Sequence, residues 1–136
     1  MPPLAAPRVF ASLLAAGALV TTACLARTEG DLRLDRQKLD LTECRSGEIY
    51  GFVGVEFVSS NGAKVRVAST PSGAGQVFAF APGAMNGTDL GMCAKLVVER
   101  QSSTVDKVAN VKGRATIDCN AKGREVIGDV TFENCH

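Results

Sequence analysis

From residue 47 onward, apolar and polar side chains alternate with a period close to two, the pattern of half-buried β-strands. Ile49, Val53, Val55 and Phe57 share one face with Gly51, while Tyr50, Phe52, Glu56 and Val58 share the other. Val65 and Val67 then alternate with Lys64 and Arg66. Ser59-Ser60-Asn61-Gly62 stands between the two runs, and Asn-Gly in that position predicts a tight hairpin because both residues accept positive φ. Residues 71–75 (PSGAG) and 82–91 predict loops. Residues 77–81 (VFAFA) are apolar on both faces, which predicts a central strand, with a partner surface as the alternative.

The second half continues in the same way. Leu96 and Val98 oppose Lys95, Val97 and Glu99 within residues 93–100. Residues 101–104 predict a turn, and Val105, Val108 and Val111, spaced by three, predict a helical turn interrupting the sheet. Ala115, Ile117 and Cys119 face inward against Arg114, Thr116 and Asp118, residues 120–123 predict another turn, and Val126, Val130 and Phe132 form the core face of a last strand. Ahead of all this, Leu32/Leu34 and Leu39/Leu41 alternate around a polar stretch, residues 35–38, that predicts either a turn or one helical turn. The fold class expected is all-β, a small antiparallel sandwich or barrel of about six or seven short strands.

The N-terminus has a different pattern. Residues 1–8 carry one basic side chain, Arg8, and residues 9–20 (VFASLLAAGALV) are continuously apolar; small residues Thr21, Thr22 and Ala23 follow. That is the layout of a secretory signal, too short at 12 apolar residues for a membrane span, which needs roughly 20. Ala23-Cys24 resembles the lipobox of bacterial lipoproteins, in which a small residue precedes the cysteine that becomes lipidated. The resemblance covers residues 1–24, and Thr21 stands at −3 where that family commonly has Leu. It implies a diacylglycerol thioether on Cys24, cleavage before Cys24 and N-acylation. Leu25, in place of the Asp that retains lipoproteins in the inner membrane, implies the outer membrane. Ordinary cleavage after Ala23 or Ala26 without lipid is the alternative. The chain thus divides into a signal peptide (1–23), a lipidated cysteine with a polar tether (24–31) and a single β domain (32–136).

The cysteines support this division. The chain has five, and setting Cys24 aside leaves Cys44, Cys93, Cys119 and Cys135, an even number suited to two disulfides in an oxidising compartment. With a hairpin turning at residues 120–123, Cys119 lies beside the turn and Cys135 about 35 Å along the returning strand. Disulfide Cα atoms lie within about 7 Å of each other, which disfavours Cys119–Cys135. Cys93–Cys119 with Cys44–Cys135 is the preferred pairing, and Cys44–Cys119 with Cys93–Cys135 stays open.

Charge and motifs narrow the function classes. Fifteen Lys and Arg face fourteen Asp and Glu, and Arg8 departs with the signal, so the mature side chains balance; this argues against a nucleic-acid partner. In residues 27–45 five basic groups, Arg27, Arg33, Arg36, Lys38 and Arg45, are balanced one for one by Glu29, Asp31, Asp35, Asp40 and Glu43, a solvated, salt-bridged surface. The one histidine is His136, no Cys-x-x-Cys spacing suggests zinc or redox use, and no phosphate or dinucleotide loop is present, so catalytic and metal residues, and cofactors, are expected to be none. Tyr50, Phe52, Phe78 and Phe80 are expected to pack in the core, an aromatic binding patch being the alternative. The expected function is a non-catalytic, outer-membrane-anchored lipoprotein that binds or scaffolds an envelope protein in secretion, motility or surface assembly. Size, anchor and disulfides also resemble the small lipoprotein inhibitors of lysozyme, a ligand-binding alternative whose small ligand, if any, the sequence does not name. An envelope enzyme is the least favoured class.

Overall fold

The computed structural model describes Pro3 and residues 25–136; residues 1, 2 and 4–24, among them the expected signal peptide and Cys24, lie outside the described residues. The regular structure is nearly all β: β1 (Arg27–Leu34), β2 (Gln37–Lys38), β3 (Leu41–Ser46), β4 (Gly54–Ser59), β5 (Lys64–Ser69), β6 (Ala74–Phe80), β7 (Thr88–Val105), β8 (Val108–Ala121) and β9 (Arg124–Cys135), with a 3-10 turn at Gly47–Tyr50. All nine strands form one antiparallel sheet in the order β2-β1-β9-β8-β7-β6-β5-β4-β3. From β3 to β9 it is an uninterrupted meander, and β1 returns to pair with β9 in the register Arg27↔Glu133 to Leu34↔Val126.

The sheet is rolled into a half-barrel, and the covalent structure proves the roll. In sheet order β3 lies six strand steps from β9. Laid flat, that is roughly 29 Å at about 4.8 Å per step. Yet Cys44 on β3 and Cys135 on β9 are disulfide-bonded with their Cα atoms 5.0 Å apart. The inner face carries the core: Leu32, Leu34, Val55, Phe57, Val65, Val67, Val77, Leu96, Ala115, Ile117, Val126, Val130 and Phe132 are all buried in one cluster. Phe57 and Phe132 meet edge to face across it, ring centroids 5.7 Å apart, so β4 and β9 touch through the interior. Tight curvature needs small inward residues. A Cβ at Gly128 would come within 2.9 Å of the Leu32 backbone, and Gly30 holds a φ of 111° that side chains rarely adopt.

The alternation in the sequence places most inward residues correctly, and the hairpins at residues 60–63 and 122–123 form where expected. Nine strands replace the six or seven expected, for identifiable reasons. The polar tether extending to Asp31 is corrected: residues 27–31 belong to β1, whose inward positions there are Thr28 and Gly30, so no apolar alternation marks the strand. The helical turn around Val105–Val111 is corrected to a β-hairpin. Asp106 and Lys107 both take positive φ (49° and 68°), giving a two-residue turn across which Val105 and Val108 pair. The expected turn at 101–104 is instead an irregularity within β7, between Arg100 and Thr104. Residues 47–50 form the 3-10 turn rather than strand, capped by the Ser46 hydroxyl accepting from the Glu48 N–H and by Gly51 at φ 84°. At Asn61-Gly62 only Gly62 has positive φ (86°); the Asn61 side chain instead accepts the Ala63 N–H at 2.9 Å.

Candidate functional site

The outer surface of the half-barrel has two unlike halves. Over β1, β8 and β9 it is charged and solvated, with Lys38 paired to Asp31 at 2.9 Å and Arg114 Nε donating to Asp129 at 2.7 Å. These partners hold the Asp31 and Asp129 carboxyls below their ordinary value, chiefly through the hydrogen bonds they donate. The salt-bridged reading of residues 27–45 holds here for Asp31–Lys38 and Asp35–Arg124, and on the other half for Glu43–Arg45.

Over β3 to β6 the outer face is built around one buried carboxylate. Glu56 alternates with the inward Val55 and Phe57, so its side chain points outward, yet it is 0% exposed. The register sets Arg45 of β3 and Arg66 of β5 on either side of it. Arg66 donates from Nε and Nη2 to Glu56 Oε2 at 2.9 and 2.7 Å. Arg45 Nη1 stands 3.8 Å from Glu56 Oε1, which accepts no hydrogen bond from the described residues. Arg45 is also engaged by Glu43, through Nε and Nη2, and by the Tyr50 hydroxyl, which accepts from Nη1 at 3.0 Å. The Glu43 carboxylate above all, then Tyr50, raises the Arg45 guanidinium above its ordinary value.

Three aromatic rings enclose Arg66. Its guanidinium carbon lies 4.8 Å from the Tyr50 ring centroid, 5.0 Å from that of Phe52 and 5.1 Å from that of Phe80. Lys64 adds a second cation 4.7 Å from the Phe80 centroid. Phe78 is half-buried opposite Arg66 in register. Core packing of Tyr50, Phe52, Phe78 and Phe80 is thus corrected: none joins the inner cluster, and three of the four gather on the outside around a cation. Their positions explain this. Phe78 and Phe80 take the face opposite Val77 and Ala79, and Tyr50 and Phe52 lie on the segment joining β3 to β4. Cation–π contacts of this kind contribute about 0.5–2 kcal/mol each, more as water is excluded. The arrangement offers rigid aromatic edges and partly exposed guanidinium groups, the side chains that dominate protein interfaces.

The remaining residues expected to matter are placed as follows. Cys44 is joined to Cys135 and Cys93 to Cys119, with Cα separations of 5.0 and 5.2 Å, the preferred pairing. Cys24 lies outside the described residues. His136 is exposed and lines a groove of about 440 Å³ together with Ala26, Ile49, Val105 and Val108. Among the described residues no group of three or more His, Cys, Asp and Glu is placed to hold a metal ion, and no helix is long and apolar enough to cross a membrane. Glu56, Arg45 and Arg66 are the residues that pattern reading missed. A signal was available: a hairpin turning at residues 60–62 pairs Glu56 with Arg66 by register alone. The chain matches no protein-family model, no curated protein and no solved structure.

Proposed function

We propose that this chain is a non-catalytic lipoprotein, anchored to the outer membrane through Cys24, that holds another envelope protein in a secretion, motility or surface-assembly complex. The anchor rests on the signal layout and on the cysteine count. The binding role is supported by one observation above others: the Arg66 guanidinium held between Tyr50, Phe52 and Phe80 over the buried Glu56 carboxylate. A surface that merely needs solvation does not require a buried charge and three aromatic rings; the half over β1, β8 and β9 does without them. Pre-ordered Arg and Tyr side chains lose little entropy on docking, which is what makes such residues effective anchors.

The test is chemical cross-linking in intact cells followed by purification from detergent-solubilised membranes. One stoichiometric partner is expected with the unmodified chain. It should be lost with Phe78→Ala combined with Lys64→Glu, two substitutions beside the cluster on the β5–β6 wall that leave the Glu56–Arg66 pair in place. A partner retained in full by that variant, or none recovered at all, overturns the proposal. The anchor is tested separately by labelling with a clickable fatty acid, which Cys24→Ser should abolish.

A further inference from the structure

The antiparallel pairings assign every connection to one of two ends of the half-barrel. The start of β1 is level with the end of β9 (Arg27↔Glu133), Cys135 of β9 with Val111 of β8, and Arg100 of β7 with that same Val111. Gly75 of β6 pairs with Ser69 of β5, Ala68 of β5 with Gly54 of β4, and Val55 of β4 with Ser46 of β3. One end therefore carries residues 25–26, the segment 47–53, residues 70–73 and the tip of the β7–β8 hairpin. The other carries the turns at 35–36, 60–63, 81–87 and 122–123.

The exposed large apolar residues of the connecting segments are unevenly shared between these ends. Leu25 (72% exposed), Ile49 (44%), Tyr50 (45%) and Val53 (63%) all belong to the first, against Met85 alone at the second. The segment that carries three of them is held in shape. Phe52 N–H donates to the Gly47 carbonyl at 3.1 Å, Ser69 N–H to the Val53 carbonyl at 2.7 Å, and Arg100 pairs with Glu48 at 2.6 Å. It also adjoins the start of the described chain. Ala26 and Ile49 line one groove, and the Asn134 side chain donates to the Leu25 carbonyl at 3.3 Å. The described chain, which starts one residue after Cys24 in sequence, therefore begins at the same end that displays these apolar side chains.

We propose that this end rests on the lipid surface, with Ile49 and Val53 entering the boundary between headgroups and acyl chains and Tyr50 at the headgroup level. Tyrosine suits that position because its ring is apolar and its hydroxyl wet. The charges nearest it are paired, Glu48 with Arg100 and Glu43 with Arg45, and Asp106 and Lys107 at the hairpin tip are opposite in sign, so contact is apolar and indifferent to anionic lipid. The proposal takes the direction of the anchor from the function proposed above and adds the orientation of the domain. It turns the Arg66 cluster, on the side wall, toward neighbouring proteins of the same membrane.

The chain contains no tryptophan, so single tryptophans report cleanly. Val53→Trp and Met85→Trp place one at each end. Each full-length protein, purified from membranes, is reconstituted into phosphatidylcholine vesicles brominated in the acyl chains. An apolar side chain buried about 5–10 Å at the interface is quenched there, so Val53→Trp should lose at least about twofold more emission than Met85→Trp. Adding Ile49→Asp should bring the two close together, and including phosphatidylglycerol should change neither. Equal quenching at both ends, stronger quenching of Met85→Trp, or a Val53→Trp emission that responds only to an added envelope protein overturns the proposal. Fatty-acid labelling of the same preparations is scored independently. Labelled protein without the end-to-end difference refutes the orientation alone, whereas the difference in unlabelled protein supports the orientation and refutes the anchor.

Discussion

Removing Arg66 should destabilise the domain far more than removing Glu56 and Arg66 together. Glu56 is fully buried, and two N–H groups of Arg66 are its hydrogen-bond donors. Replacing Arg66 by Met leaves the carboxylate with Arg45 at 3.8 Å, a group already committed to Glu43 and Tyr50. Breaking a buried pair from one side typically costs about 3–5 kcal/mol, a large fraction of a total stability of roughly 5–15 kcal/mol. At about 4 °C per kcal/mol, that is a fall in Tm of roughly 12–20 °C. Glu56→Leu alone should cost less, because Arg66 is partly exposed and its guanidinium can turn to water. The double variant Glu56→Leu/Arg66→Met, apolar on both sides, should return to within about 1 kcal/mol of the parent. The assay is urea unfolding with disulfides intact, followed by circular dichroism, and closed as a double-mutant cycle. A cost for Arg66→Met below about 1 kcal/mol, or single costs that simply add in the double, would refute the reading of Glu56 as a desolvated charge held by Arg66.

Three further outcomes are expected. The Cys44–Cys135 bond spans 91 residues and Cys93–Cys119 spans 26, so the chain-entropy estimate gives about 4.6 and 3.5 kcal/mol; paired Cys→Ser variants compared in urea should rank in that order. Asp31 and Asp129 have folded-state values below the ordinary 3.8. Their contribution is present above that value and lost as pH falls through the lowered ones, so melts between pH 5 and pH 2 should show a decline that Asp31→Asn/Asp129→Asn makes shallower. Phe132→Ala removes the ring that meets Phe57 across the interior and should cost about 3–5 kcal/mol, measured by the same urea unfolding, whereas Val97→Ala on the exposed face should change stability by less than about 0.5 kcal/mol.

What was legible in the sequence follows from where side chains speak for the backbone. Val65/Val67, Ala115/Ile117/Cys119 and Val126/Val130/Phe132 alternate because one face of each strand meets the core, and the structure buries those faces. Lys122-Gly123 marks its hairpin because glycine tolerates the positive φ required. The strands that pattern reading missed lack such marks. Thr28 and Gly30 take the inward sites of β1 where the sheet bends too sharply for larger groups, and Asp106-Lys107 makes a two-residue turn without glycine. The roll itself is a long-range property, visible only once Cys44 and Cys135 are known to touch. The Arg66 cluster was hidden for another reason. Aromatic residues in an alternating strand read as core on either face, and only the partner strand decides which face is inside.

The bond between Cys44 and Cys135 also sets the order in which the protein can be made. β1 finds its main partner in β9, about a hundred residues later, and the sheet cannot close until both have been synthesised. Contacts so distant in sequence fold slowly, and until they form β1 is an unpaired edge open to other chains. If Cys44 and Cys93, the first two cysteines to emerge after residue 24, were oxidised in order of arrival, they would be joined wrongly. Correct assembly therefore depends on an oxidising compartment that also reshuffles disulfides, or on thiols that stay reduced until β9 has arrived.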